Sequence, residues 1–171
     1  PANNRPNYSP KSFTGAMHYI EARYATEEEI AKEKNLVLNV YDQHENSTFF
    51  PHASANVETR GEAVFAARNA VDGMYANTSH GRYPYQSWGI NRDPNAALTV
   101  DFGREVVIRE LRLTLRADYP HDNYWVSATV TFDDGSKEVL KLEKSEKPQC
   151  FKIKEKKVKS FVLDKLIKAE G

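Results

Sequence analysis

Two segments of the sequence concentrate side chains that could bind a polar ligand. They span residues 80–92 and 116–125, and each mixes aromatic rings with arginine, histidine and amide groups. An aromatic ring offers a flat apolar platform for the C–H face of a pyranose, and Arg, Asp, Asn and His can bind its hydroxyl groups in fixed geometry. Both segments are rich in turn formers and show no strand alternation, so we expect long loops that bind a sugar.

The candidate ligand contacts are the side chains in these segments that carry a ring or a hydrogen-bonding group. They are His80, Tyr83, Tyr85, Arg92, Arg116, Asp118, Tyr119, His121, Asp122, Asn123 and Tyr124. Each hydrogen bond to a sugar replaces one to water and contributes only about 0.5–1.5 kcal/mol. We therefore expect a modest affinity at a single site.

Several of these side chains have a second interpretation. His80 and His121 could bind zinc with Asp122 or form an acid/base pair, but no His-x-x-x-His or Glu-x-x-His spacing supports a metal, and we favour hydrogen-bonding loop residues. Arg116 and Asp118 could contact a ligand directly or form a buried pair with each other. The four tyrosines are equally compatible with packing and with exposure.

Tryptophan and aspartate side chains in the same region raise two further possibilities. A tryptophan at the edge of a strand usually packs into the core, and Trp125 immediately precedes an alternating strand. We expect both Trp88 and Trp125 to pack into the core rather than contact a ligand. A glycoside hydrolase would need two carboxylates roughly 5–10 Å apart, and the candidates are Asp93, Asp118 and Asp122. No Gly-x-Ser-x-Gly elbow, phosphate loop or nucleophile with an evident base is present, so we predict that the chain is not an enzyme.

Composition narrows the remaining classes of function. The 24 basic and 24 acidic side chains cancel, which disfavours nucleic acid as a partner. Residues 137–171 hold 11 Lys against 6 Asp and Glu, and we interpret these lysines as solvated strand faces rather than a basic patch. Cys150 is the single cysteine, which excludes an intramolecular disulfide and Cys-rich zinc sites. No run approaches the roughly 18 apolar residues of a membrane span.

Periodicity predicts the elements that hold the two loops. Thr26-Glu27-Glu28-Glu29 is a capping box, which predicts a short helix at about residues 27–34. Residues 126–132 alternate apolar and hydroxyl side chains and end at an Asp-Gly turn, which indicates a strand and a hairpin. Shorter apolar runs lie at residues 98–102, 111–115, 151–153, 161–163 and 166–167. About eight strands follow, enough for an antiparallel β-sandwich of residues 35–171 behind an N-terminal arm of residues 1–34.

The order of several segments resembles the discoidin, or coagulation factor 5/8 type C, superfamily. These segments are Asn35–Asn39 as the opening strand, Ala53–Asn56 as the next strand, Asn69–Gly73 as an Ala-Val-Asp-Gly turn, Trp88, Leu98–Gly103, and Val130–Gly135 as a hairpin. The resemblance implies a jelly roll whose loops at one end bind ligands: sugars in the family 32-like carbohydrate-binding modules, lipids or proteins in animal relatives. It also implies a structural calcium ion held by Asp72 and Asp164.

Together these features predict a non-catalytic carbohydrate-binding module. Its partner is a glycan or glycoconjugate, to which it tethers a linked catalytic domain or a cell surface. A protein-interaction domain that uses the N-terminal arm as an adaptor is the alternative.

Overall fold

The computed structural model describes residues 14–17, 21–45, 48–79, 81–117 and 123–170. Within this part of the chain, one short helix precedes five strands. The elements are α1 (Glu27–Ala31), β1 (His52–Ala55), β2 (Leu98–Leu113), β3 (Trp125–Phe132), β4 (Lys137–Lys141) and β5 (Gln149–Lys168), with three 3₁₀ turns, Thr59–Gly61, Ala63–Phe65 and Ala67–Ala70, between β1 and β2. No described helix has the length and apolar character needed to cross a bilayer.

The five strands form one antiparallel sheet in the order β1-β2-β5-β3-β4. Apolar side chains at alternate positions of its strands, among them Val100, Val130 and Leu163, are buried in a single core. The rings of Phe102 and Phe161 meet across β2 and β5 at 6.0 Å between centroids. The predicted all-β antiparallel class is confirmed.

The strand count differs from the prediction because β2 and β5 are unusually long. They pair in three blocks, residues 98–101 with 160–163, residues 106–108 with 156–158 and residues 110–113 with 149–152, separated by two register shifts. Gly103 and Arg104 lie at the first of these shifts, inside β2, and the three apolar runs of the tail all lie in β5. A β-bulge bends a strand without ending its ladder. The interruptions between apolar runs, which predict separate strands, therefore fall inside continuous strands.

Two predicted segments at the N-terminal side differ as well. The expected opening strand at residues 35–39 is a turn, in which the Val37 amide donates to Asn35 Oδ1 and the Leu38 amide donates to the Asn35 carbonyl. Such local hydrogen bonds compete with sheet pairing. The capping box at Thr26 is confirmed, but α1 ends at Ala31 instead of residue 34. Ile30 is 65% exposed, so the helix buries no apolar face that could extend it.

The β3–β4 hairpin is confirmed, with one change in which side chains face the core. The Phe132 amide donates to the Ser136 carbonyl and Gly135 supplies the positive φ of the turn. Register shifts on either side of Ser127 disturb the alternation. Val126 is therefore partly exposed and Thr129 is buried, whereas the simple pattern of period two predicts the reverse.

A buried carboxylate fixes the start of β1. Asp42 is 1% exposed, its Oδ1 lies 2.7 Å from His52 Nδ1, and its Oδ2 accepts from the Ala53 amide at 2.8 Å. Arg68 donates to the Asp42 carbonyl at 3.0 Å. A buried charge is tolerated when it is paired and hydrogen-bonded, so these contacts hold the edge strand against the preceding loop.

The boundary between an arm and a sandwich at residue 34 stays a prediction.

We predict that Gly103→Ala destabilises the protein more than Gly135→Ala. Both glycines have positive φ, at +65° and +80°, but an added Cβ at Gly103 would lie 2.3 Å from Phe50 Cγ, whereas at Gly135 it would meet nothing within 4 Å. The left-handed conformation costs about 1–2 kcal/mol for alanine, and overpacking adds about 1–3 kcal/mol at Gly103 only. Urea unfolding measures the loss of unfolding free energy in both variants. In a Phe50→Ala background, Gly103→Ala should cost no more than the Gly135→Ala control. Equal costs for the two single variants would contradict this packing.

Candidate functional site

The two segments predicted to bind a ligand lie in loops that one arginine joins. We name residues 77–92 loop A and residues 114–124, between β2 and β3, loop B. Arg116 of loop B donates through Nε to Ser87 Oγ at 3.1 Å and through its two terminal nitrogens to the carbonyls of Ser79 and Tyr85. A planar guanidinium carries five donors in a rigid fork, so a single side chain fixes three positions of loop A.

A second cross-link extends the same assembly. Asn77 Nδ2 donates to the Leu115 carbonyl at 3.1 Å and to the Glu146 carbonyl at 2.7 Å. Glu146 lies between β4 and β5, so a third connection joins loops A and B. The structure therefore brings together chain segments that are about 30 to 70 residues apart in sequence.

Amide and carboxylate groups that are buried or half-buried hold loop A through hydrogen bonds. Asn69 is 4% exposed, and its Nδ2 donates to the carbonyls of Ala63 at 3.0 Å and Ser87 at 3.3 Å. Gln86, also buried, donates through Nε2 to Asp72 Oδ2 at 2.8 Å. Burial raises the pKa of Asp72, and hydrogen bonds from the Met74 amide and from Gln86 offset part of that effect.

The two tryptophans pack as expected. Trp88 and Trp125 are half-buried against the core and meet edge to face, with centroids 6.4 Å apart and planes at 62°. Trp88 Nε1 donates to the Val57 carbonyl at 3.0 Å. Both indoles thus anchor the loops at their bases, and the predicted core role is confirmed.

The described candidate contacts divide into exposed and half-buried groups. Arg92 and Asn123 are exposed, Tyr83 and Tyr85 are half-buried, and Tyr124 is half-buried against the core. Arg116 uses its donors within the protein, so it positions loop A. Five candidates lie outside the described residues: His80, Asp118, Tyr119, His121 and Asp122. The zinc, acid/base and Arg116–Asp118 alternatives therefore stay open, and direct ligand contact stays a prediction for the whole set.

The hydrogen bonds of Asp93, Asp72 and Asp164 bear on the enzyme and calcium predictions. Asp93 Oδ1 accepts from the Asn95 amide at 2.8 Å. Both Asp72 oxygens accept hydrogen bonds, while Asp164, opposite Thr129 in the β3–β5 pair, has a buried Oδ1 without a hydrogen-bond partner. The described residues contain no group of three His, Cys, Asp or Glu that could hold a metal. Oxygen donors suit Ca²⁺, and calcium stays a prediction.

Sequence reasoning missed the residues that assemble the site, Asn69 and Ser87 among them. Their partners are Arg116 or backbone carbonyls far away in sequence. The sequence signal for such a role is weak, since a polar residue in a turn-rich segment is more often solvated.

We predict that Arg116→Lys loosens loop A. A lysine ammonium cannot reach three acceptors in one plane, so the Ser79 and Tyr85 carbonyls lose donors at about 1–3 kcal/mol in unfolding free energy. Hydrogen exchange should accelerate within residues 81–88. Arg92→Lys is the matched control, because Arg92 is exposed and makes no hydrogen bond with a described residue. Equal exchange in the two variants would show that Arg116 does not hold the loop.

No protein-family model and no curated protein matches this chain. Solved structures are similar at low identity. The lectin domain of lectinolysin, complexed with Lewis B antigen, has 15% identity and a TM-score of 0.54 over 80% of this chain and 90% of that chain. Chitosan-binding module 1 of a chitosanase/glucanase from Paenibacillus sp. IK-5 has 17% identity and a TM-score of 0.53 over 81% and 90%. A fucose-binding module of Streptococcus pneumoniae, SpX-3, has 12% identity and a TM-score of 0.51 over 80% and 92%. This chain has the fold of these carbohydrate-binding modules and lectin domains.

Proposed function

We propose that this protein is a non-catalytic carbohydrate-binding module that holds a glycan on loops A and B. The observation that carries the proposal is the joining of the two loops by Arg116, which gathers aromatic and hydrogen-bonding side chains from separate parts of the chain. The fold supports it, since structures that share it bind Lewis B antigen, or are named for binding fucose or chitosan.

The loops suit a neutral, weakly bound ligand. Arg116 and Asn77 cross-link the described parts of these loops, and binding to cross-linked groups lowers the cost of immobilising them. Half-buried Tyr83 and Tyr85 can offer ring faces, while the exposed Arg92 and Asn123 can donate to hydroxyl groups. The basic and acidic side chains balance, so no net charge selects a charged ligand. Weak single sites become useful through avidity when a module is repeated or linked to a catalytic domain.

We predict that Tyr83→Ala and Tyr119→Ala weaken glycan binding about tenfold or less, the size of a ring contact of about 0.5–1.5 kcal/mol. A glycan array on the wild-type protein identifies the ligand, and titration calorimetry on that ligand measures each variant. Tyr24→Ala is the control, because Tyr24 is 99% exposed and precedes α1.

Two outcomes would contradict the proposal. Absence of binding across a broad array would favour the protein-interaction alternative, which deletion of residues 1–34 tests directly. Release of product from chromogenic glycosides would favour an enzyme that uses Asp93, Asp118 or Asp122.

Calcium is a separate part of the proposal. Asp72 and Asp164 would hold the ion, which would compensate buried negative charge and join distant parts of a chain that has no disulfide. The half-buried Asp72 carboxylate, whose pKa burial raises, and the unpartnered Oδ1 of Asp164 support it.

We predict that millimolar CaCl₂ raises the melting temperature of the wild-type protein and not that of Asp72→Asn. A ligand at 100 times its Kd stabilises the folded state by about 2.7 kcal/mol. Differential scanning calorimetry measures the effect, with MgCl₂ as the ion control and Asp134→Asn, in the exposed hairpin turn, as the variant control. Equal melting temperatures with and without CaCl₂ would remove calcium from the proposal and leave the loops untouched.

A further inference from the structure

Part of one edge of the long strand β2 has no partner strand among the described residues. β1 pairs with β2 only at residues 98–101, and residues 106–113 pair with β5 on the other side. No strand among the described residues pairs with the second edge of residues 104–113. In an antiparallel strand the N–H and C=O groups point alternately to the two sides. About half of the backbone groups in this stretch therefore face away from the sheet.

A cleft of about 1540 Å³ includes this open edge and continues over the core face of the sheet. Every residue from 104 to 116 lines it, as do residues 30–37. Its lining also contains the core residues Phe161 and Leu163, which pair with residues 98–100 of β2. The Arg109–Glu33 ion pair, at 2.6 Å, joins residues 104–113 to residues 30–37. We name the space between residues 104–113 and residues 30–37 the strand-acceptor groove.

We propose that the strand-acceptor groove binds one extended polypeptide segment from outside residues 1–171, which adds a strand to the free edge of β2. An open row of backbone donors and acceptors is a template for a further strand. A strand with apolar side chains at alternate positions would place one face beside the inward side chains of Val106 and Ile108 and satisfy the backbone of β2 with its own.

The charges that line the groove and the sequence of the chain restrict which polypeptide segment can bind there. Lys32, Lys34 and Arg104 line the groove and form no ion pair with a described residue, so acidic residues at the ends of the strand fit best. The chain's own residues 1–13 are a poor occupant, because Pro1, Pro6 and Pro10 interrupt them and proline cannot complete a ladder. The other segments outside the described residues have five residues or fewer.

A synthetic peptide tests this proposal on the whole chain. The probe is an acetylated and amidated nonapeptide, Glu-Val-Thr-Val-Thr-Val-Thr-Val-Glu, and its control carries N-methyl groups on alternate amides of one edge. Hydrogen exchange of residues 104–113 and fluorescence of Trp88 and Trp125, which line the cleft, report binding. We expect the peptide to slow exchange at about half of the amides in residues 104–113 at least tenfold, and the N-methylated peptide to have no effect.

Charge reversal provides matched variants. Lys34→Glu with Arg104→Glu should weaken the peptide about fivefold, in line with about 1 kcal/mol from exposed charge pairs, whereas Lys137→Glu on β4 should not. Equal binding of the N-methylated peptide, or no change in exchange with either peptide, would overturn strand addition. Protection that rises with protein concentration would assign the groove to a second copy. Protection already present in the free monomer, and lost on deletion of residues 1–13, would assign it to that segment.

Discussion

The pairing of β2 with β5 is the constraint on which the rest of the molecule depends. β1 pairs with one end of β2, and β3 pairs with the opposite edge of β5. The five strands therefore form one sheet only because β2 and β5 pair with each other. The shifts between Asp101 and Val106 and between Ile108 and Glu110 divide that register into three blocks. The first block carries the five-stranded sheet, and the other two extend beyond it along an edge that has no partner strand among the described residues. Loop B starts directly after β2, and loop A is separated from the start of β2 only by residues 93–97, so their positions follow from the same ladder.

Sequence periodicity predicts the parts of this fold that depend on local pattern. The β3–β4 hairpin and the capping box at Thr26 need only neighbouring residues, and both form. The merging of apolar runs into β2 and β5 depends on bulges, whose cost is set by distant partners. The burial of Thr129 has the same origin, because the register of β3 against β5 decides which side chains turn inward.

In the candidate site, too, the sequence predicts the residue types but not their hydrogen-bond partners. The sequence identifies which segments carry rings and hydrogen-bond donors, and loops A and B are loops throughout their described parts. It cannot identify the acceptors of Arg116, which lie 29 to 37 residues away and are mostly backbone carbonyls. A carbonyl has no signature in a sequence, since every residue carries one. The role of Arg116 as a positioning residue therefore emerges only from the three-dimensional arrangement.

The choice of acceptor at Arg116 bears on how such a loop can evolve. An arginine bound to acidic side chains would fix the identity of those residues, since a substitution at either partner breaks the pair. Arg116 instead binds main-chain oxygens at Ser79 and Tyr85, so a mutation there changes the side chain and keeps the acceptor. Selection can then diversify the outward-facing chemistry of loop A while its conformation persists. The scaffold and the recognition surface can in this way change at different rates.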